Sequence, residues 1–228
     1  MMGEIKNNET EKPIEKPSDK SEISKKEADQ ILDNRFSTES DKPNPWENST
    51  EKENNIDKTD SPTILDPNSK YYKDGHTYET DDKWNIYKVD SRLLPNTSYE
   101  VNGYKYKTGD KGRIIKANGQ LKLEPGERDL NAQKKAGGED RKSGDQGGHL
   151  VADRFGGAGG VENLVAMKSE LNQGDYKKME NDLAKAISQG KEVTVSIDVK
   201  YDDDSQRPSS ITVTYTIDGE TLKKVFTN

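Results

Sequence analysis

The chain has 228 residues and a net charge of −7; 35% of its residues are charged and only 28% are hydrophobic. A hydrophobic core that fills the whole length is therefore excluded, and at least one segment should be solvated. The sequence holds no cysteine, which excludes a disulfide framework. It also lacks an apolar run long enough to cross a membrane and an apolar stretch after Met1 typical of a secretory signal.

The excess negative charge lies in the first part of the chain. Residues 1–70 contain 17 acidic and 11 basic residues, which leaves 26 acidic and 25 basic residues for 71–228. This first part is rich in Glu, Lys, Asn, Ser and Pro, which predicts a disordered polar linker or tail over 1–65 and a folded domain over 66–228. Apolar residues at helical spacing over 24–36 would allow a short helix whose expected role is to tether the chain or contact a partner.

The near-neutral body and a pI near 5.1 are poorly suited to holding nucleic acid tightly, because such binding depends on releasing counterions from phosphates. An enzyme that binds, cuts and releases nucleic acid needs only a local basic track.

Two Asn-Gly pairs predict hairpins in the first half of the body, because this dipeptide supplies the positive φ angles of a two-residue turn. One hairpin is expected at Asn102-Gly103, with Tyr99, Val101, Tyr104 and Tyr106 in its strands, and the other at Asn118-Gly119. The polar, glycine-containing stretch 124–148 is expected to be mostly loop.

The period of the apolar pattern changes after Gly174. Apolar residues recur at intervals of three and four from Tyr176 to Ile187, which predicts an amphipathic helix over 175–188 that Gly190 ends. Apolar and polar residues then alternate over 193–201 and again over 211–217, which predicts an antiparallel pair of strands with one buried face. The predicted fold class is therefore α+β.

The residues with the clearest chemistry crowd into 145–182. His149 follows two glycines and could serve as a base near neutral pH, although a lone histidine at a sheet edge is more often a packing residue. Asn172 precedes the predicted helix; its amide oxygen could bind magnesium, but a helix N-cap is the more common role. Glu180, taken alone, would be a solvated surface charge.

The motifs GGHLVADRFGG, ENLVAM and LNQGDYKKME resemble those of the DNA/RNA non-specific endonuclease family, in particular its EssD-like branch, named after type VII secretion toxins of Gram-positive bacteria. The resemblance implies a ββα-metal (His-Me finger) core, with the base histidine on a strand and a metal-binding asparagine at the start of a helix. It makes His149 the general base, Asn172 the ligand of Mg²⁺ or Mn²⁺, Asn163 a supporting polar group and Glu180 a hydrogen-bond partner of metal-bound water. The two asparagines and the glutamate keep the family's spacing.

One position departs from the family's pattern. Many members have Asp-Arg-Gly-His before the base, whereas Gln146, Gly147 and Gly148 precede His149 in this chain. The cation that offsets charge on the phosphate must then come from elsewhere. The candidates for this catalytic and substrate-binding role, which the sequence does not rank, are Arg128, Arg141 and Arg154. The remaining histidine, His76, is expected to be structural or exposed.

Three other interpretations are weaker. The run FGGAGG lacks the pattern and the strand–turn–helix context of a nucleotide-binding loop. A His-Asn-His nuclease needs further histidine ligands, and the chain has only two histidines. A non-catalytic binding module on a disordered tether stays open as the alternative function, although the presence of His149, Asn172 and Glu180 favours an enzyme.

The resemblance also implies a biological setting. DNA, RNA or both would be the substrate. A nuclease indifferent to sequence would harm the cell that makes it, so an antibacterial toxin of this kind implies a cognate immunity protein. The expected location is outside the cell by a non-classical, type VII route, or the cytoplasm before export.

Overall fold

A computed structural model describes residues 65–228 of the chain. All but the last residue of the predicted tail, 1–65, and the short helix predicted over 24–36 lie outside the described residues. The strands are β1 (Lys70–Lys73), β2 (His76–Thr80), β3 (Ile86–Val89), β4 (Arg92–Leu93), β5 (Ser98–Val101), β6 (Tyr104–Thr108), β7 (Ile114–Gln120), β8 (Asp145–His149), β9 (Leu164–Lys168), β10 (Val193–Tyr201), β11 (Pro208–Ile217) and β12 (Glu220–Thr227). The α-helices among these residues are α1 (Leu130–Lys135) and α2 (Tyr176–Ser188).

The strands form three antiparallel sheets. The largest has six strands in the order β12-β11-β10-β7-β6-β5; β1 to β4 make a four-stranded sheet, and β8 pairs with β9. The fold is therefore mostly antiparallel β-structure with few helices. No helix in the described part of the chain is both long and apolar enough to cross a membrane.

The hydrophobic core lies between one face of the six-stranded sheet and α2. Helix α2 buries Tyr176, Met179, Leu183 and Ala186, four of the five positions that the helical period predicted, and partly buries the fifth, Ile187. Alternate residues of β10 and β11 are buried in the same way, and the two strands pair antiparallel from Val193 with Ile217 onward. The predictions for 175–188, 193–201 and 211–217 are confirmed.

The two Asn-Gly pairs have different structures. Asn102 and Gly103 take φ angles of 54° and 75° between β5 and β6, so the first hairpin is confirmed. The prediction of a second hairpin at Asn118-Gly119 was wrong, because β7 runs unbroken through both residues and pairs with β6 and β10. Glycine is needed at 119 because a Cβ there would lie 2.6 Å from the Tyr104 ring.

The prediction that 124–148 is mostly loop was wrong in part. The stretch contains α1, a 3-10 turn at Gly138–Asp140 and most of β8. Helix α1 has only six residues, so its apolar period is too short to read. Strand β8 is built around two glycines, which hide it from a search for β-forming residues.

Candidate active site

Two strands and a helix carry the predicted site residues. His149 is the last residue of β8 and pairs with Leu164, the first residue of β9. After β9 the chain passes through a kinked turn, Leu171–Asp175, in which Gly174 has non-helical angles (φ −101°, ψ −107°), and then enters α2. The buried Tyr176 hydroxyl donates to the Leu150 carbonyl at 2.8 Å, so the start of α2 is fastened to the residue that follows His149.

The start of β8 is anchored by a buried ion pair. The Arg207 guanidinium bonds both oxygens of Asp145, at 2.7 and 3.1 Å. Burial alone would raise the pKa of Asp145, but these bonds and the Lys142 amide hold it below its usual range. A bidentate arginine–carboxylate contact fixes the orientation of the two groups as well as their distance.

Strand β8 lies so close to α1 that no side chain fits at Gly147. A Cβ on Gly147 would lie 2.5 Å from the Cα and the carbonyl oxygen of Gln133 in α1. An arginine at this position, as in the motif that the sequence resembles, would therefore collide with α1.

Asn163 is completely buried and does not reach the surface. Its side chain accepts from the Val151 amide at 2.9 Å and donates to the carbonyls of Val151 and Ala158 at 2.7 and 2.8 Å. Its own carbonyl accepts from the Leu150 amide. Asn163 therefore holds the segment that follows His149, and the supporting role predicted for it would act through the backbone.

The glycine run 156–160 does not form a phosphate-binding loop. It leads from the 3-10 turn Asp153–Phe155 back into β9 and has no helix after it. The strand–turn–helix arrangement of a nucleotide site is therefore missing here.

One open cleft of about 760 Å³ gathers almost all of the predicted site residues. Its lining includes His149, Asn172, Glu180, Arg128, Arg141 and Arg154, whereas Asn163 and His76 are not part of it. Five cationic side chains line the cleft against two carboxylates; they are Arg128, Lys134, Arg141, Arg154 and Lys177 against Asp153 and Glu180. The near-neutral body thus carries a local basic track.

His149 is partly buried in the wall of this cleft. Burial lowers the pKa of its imidazole, and the nearby Arg128 acts in the same direction, while the Asp153 carboxylate opposes them. Its Nε2 atom is buried without a hydrogen-bond partner in the described part of the chain. A neutral imidazole at physiological pH can take a proton, so the environment suits a base.

The amide of Asn172 is held by a neighbour on β8. Its Nδ2 donates to Gln146 Oε1 at 2.7 Å, and Gln173 Nε2 donates to the same oxygen at 2.9 Å. With its nitrogen engaged, the Asn172 amide presents Oδ1 as the remaining acceptor, close to Gly148. Sequence reasoning treated Gln146 only as a departure from a motif and missed this contact.

The three candidate arginines differ in how many of their hydrogen-bond donors are already engaged within the protein. Arg141 donates to the carbonyls of Gln133, Ala136 and Asp145 at 2.6 to 3.0 Å and so braces α1 against β8. Arg128 Nε donates to Asp153 at 2.5 Å, and Arg154 Nη1 donates to Asn181 Oδ1 at 2.6 Å. Arg128 and Arg154 therefore keep more of their donors for a ligand than Arg141 does.

The donor set in the cleft suits an ion that keeps most of its water. No group of three or more histidine, cysteine or acidic residues in the described part of the chain could hold a metal. Magnesium, however, often uses one or two protein oxygens and completes its shell with water and substrate phosphate. The Asn172 amide oxygen fits that pattern.

Glu180 has an unusual proton affinity for a carboxyl. Burial raises its pKa to about 7 and Asp153 adds to this, although Arg154, Lys177 and Arg128 oppose the rise. The folded protein therefore binds this proton more tightly than the unfolded chain. Protonation of Glu180 contributes its full stabilising free energy below pH 4.5, the pKa of this carboxyl in the unfolded chain. The contribution is lost as the pH rises through about 7, the pKa in the folded protein.

Glu180→Gln should consequently stabilise the fold in alkaline solution. At about pH 8 the free energy of unfolding should rise by about 1–3 kcal/mol, because the neutral amide removes a poorly solvated charge. Near pH 4.5, where the carboxyl of Glu180 is protonated, the gain should vanish. Urea unfolding at both pH values measures this, with the exposed Glu170→Gln as control. A Glu180→Gln gain that does not depend on pH would contradict the explanation.

Comparison with known proteins identifies relatives of this region. Residues 95–219 match the sequence model of the DNA/RNA non-specific endonucleases. The Type VII secretion system protein EssD of Staphylococcus aureus strain USA300 is 41% identical over 106 residues, and its counterparts in strains NCTC 8325 / PS 47 and Newman are equally similar. The matched stretch covers 44% of this chain and only 17% of EssD.

Proposed function

The chain belongs to the family of DNA/RNA non-specific endonucleases, and from that premise we propose that it hydrolyses phosphodiester bonds of nucleic acids with the aid of a divalent metal ion. The observation that carries the proposal is the cleft itself. It brings His149, Asn172 and Glu180 together with five cationic side chains, although the chain as a whole is acidic.

The strands β8 and β9 and helix α2 would constitute a ββα-metal core. His149 stands at the end of the first strand and Asn172 in the turn that enters the helix. Asn172 would hold the ion through Oδ1, with its amide oriented by Gln146. Magnesium, or manganese in its place, would supply positive charge at the scissile phosphate and at the departing oxygen.

His149 would act as the general base. Its lowered pKa keeps the imidazole neutral near pH 7, so a ring nitrogen can take the proton of the water that attacks phosphorus in line. Glu180 would order water beside Asn172 through hydrogen bonds. Arg128 and Arg154 would donate to non-bridging phosphate oxygens, the role that an arginine before the histidine would otherwise fill.

The cations of the cleft would contact phosphates, which are the same in every sequence. Little base preference is therefore expected, and DNA and RNA are both candidate substrates. The products would carry 5′-phosphate and 3′-hydroxyl ends.

The direct test uses the full chain with supercoiled plasmid and with total RNA, in magnesium, in manganese and in EDTA. Either nucleic acid should be degraded to fragments without discrete bands when a metal is present, and removal of the metal should abolish the reaction. A folded chain that shifts plasmid in a gel but cuts neither substrate under any condition would contradict the proposal and favour a binding module.

The likeness to EssD, a type VII secretion system protein by name, supports a setting for this activity. The enzyme would be the toxic part of a protein exported by a type VII route and present in the cytoplasm before export. A cognate immunity protein would keep the producing cell safe by blocking the cleft. The match covers only 17% of the length of these relatives, so the proposed setting rests on the similarity of one segment of them.

A further inference from the structure

One exposed leucine stands out in a cleft lined mainly by charged and polar residues. Leu130 is 64% exposed, and it lines the cleft together with Gln133 and Lys134. These three residues are spaced by three and four along α1, so they share one face of the helix. That face forms a wall of the cleft with an apolar group at its first turn and a cation at its last.

Contacts with neighbouring segments hold the short helix α1 in place. A helix of six residues is unstable by itself. The Asp129 carboxylate caps the amides of Asn131 and Ala132, and Arg141 bonds the carbonyls of Gln133 and Ala136. At Gly147 the backbone of β8 lies directly against Gln133. The backbone that carries this face is thus positioned before any ligand arrives.

Two features of the wall call for a ligand with both polar and apolar surface. The exposed Lys134 in the last turn of α1 offers a cation to the cleft. Leu130 offers aliphatic surface beside the cations of the same cleft. A nucleic-acid strand presents anionic phosphates, hydrogen-bond acceptors and apolar sugar and base edges within one repeat.

We propose that α1 is a substrate-contact wall in which Leu130 packs against the sugar and base edges of a nucleic-acid strand while Lys134 binds its phosphate. This rests on the proposed function, which makes nucleic acid the ligand of the cleft. Leucine is a side chain that proteins place against base steps and sugars in the minor groove. The Leu130 contact would add affinity that does not depend on salt, and the Lys134 contact would add affinity that does.

Binding in EDTA separates this contact from cleavage. The full chain and its variants are titrated with fluorescein-labelled DNA and RNA duplexes, and anisotropy gives Kd over a range of salt concentrations. Leu222, 55% exposed on β12, and the exposed Lys223 beside it provide matched controls outside the cleft.

Leu130→Ala should weaken binding about five- to tenfold with an unchanged salt dependence, since an apolar contact is lost. Lys134→Ala should reduce the slope of log K against log salt by about one, since one phosphate contact is lost. Leu222→Ala and Lys223→Ala should leave both quantities unchanged. Thermal unfolding of every variant checks the fold.

Leu130→Ala binding like the parent, Leu222→Ala losing as much affinity, or no binding of either duplex by the parent would each overturn the inference. Its failure is distinct from failure of the proposed function. A chain that binds through Leu130 but cuts nothing in magnesium would overturn only the enzymatic proposal. A chain that cuts without any dependence on Leu130 would overturn only the wall.

Discussion

His149→Ala should lower kcat/KM for plasmid and RNA by about 10²- to 10⁴-fold, the contribution typical of a general base. The imidazole is the one group in the cleft with both an unbound ring nitrogen and a pKa lowered by burial. Alanine removes the proton acceptor without disturbing β8, because the pairing of residue 149 with Leu164 is made by the backbone. The measurement is the rate of loss of supercoiled plasmid under saturating magnesium.

His76→Ala is the matched control. This second histidine lies in β2, pairs with Asp90 at 2.7 Å and does not line the cleft. Its replacement should leave kcat/KM unchanged. Equal losses in both variants, or full activity of folded His149→Ala, would remove His149 from the mechanism. The same two variants expressed in bacterial cells test the toxin setting: growth should stop with His76→Ala and continue with His149→Ala.

Patterns of apolar residues predicted the elements that build the core. Helix α2 and strands β10 and β11 each bury one face against the same interior, so period and burial agree along their length. The hairpin at Asn102-Gly103 was predictable because its φ angles are local. Asn118-Gly119 misled because the space for glycine there is set by the Tyr104 ring, a contact that no local pattern contains.

The candidate site was likewise predictable from the sequence only in part. His149, Asn172 and Glu180 carry motif and spacing, and the structure brings them into one cleft. The order among the arginines could not be read from sequence, because it depends on hydrogen bonds across the fold. Arg141 donates to three carbonyls, whereas Arg128 donates to the Asp153 side chain and Arg154 to the Asn181 side chain, both in the cleft. The role of Gln146 was equally hidden, since glutamine carries no charge or period to mark it.

Substitutions of Asn172 and of its hydrogen-bond partner Gln146 should reduce the nuclease activity by different amounts. If its amide oxygen is the one protein ligand of the ion, Asn172→Ala should reduce activity about 100-fold or more, because the ion contributes several kcal/mol to the transition state. Asn172→Asp keeps an oxygen at the position and should retain most of the activity. Plasmid cleavage measured across a magnesium titration gives both the maximal rate and the metal requirement of each variant.

Gln146→Ala should act through Asn172 and so have a smaller effect, about tenfold, as is typical when a partner that orients a ligand is lost. The freed amide can rotate, so its oxygen faces the ion only part of the time. The loss should therefore shrink as magnesium is raised, whereas that of Asn172→Ala should persist. Asn118→Ala, outside the cleft on β7, is the control and should match the parent. A Gln146→Ala loss that no magnesium concentration reduces would show that Gln146 acts on the reaction by another route than the metal ligand, whereas recovery with metal would tie the whole hydrogen-bonded pair to the ion.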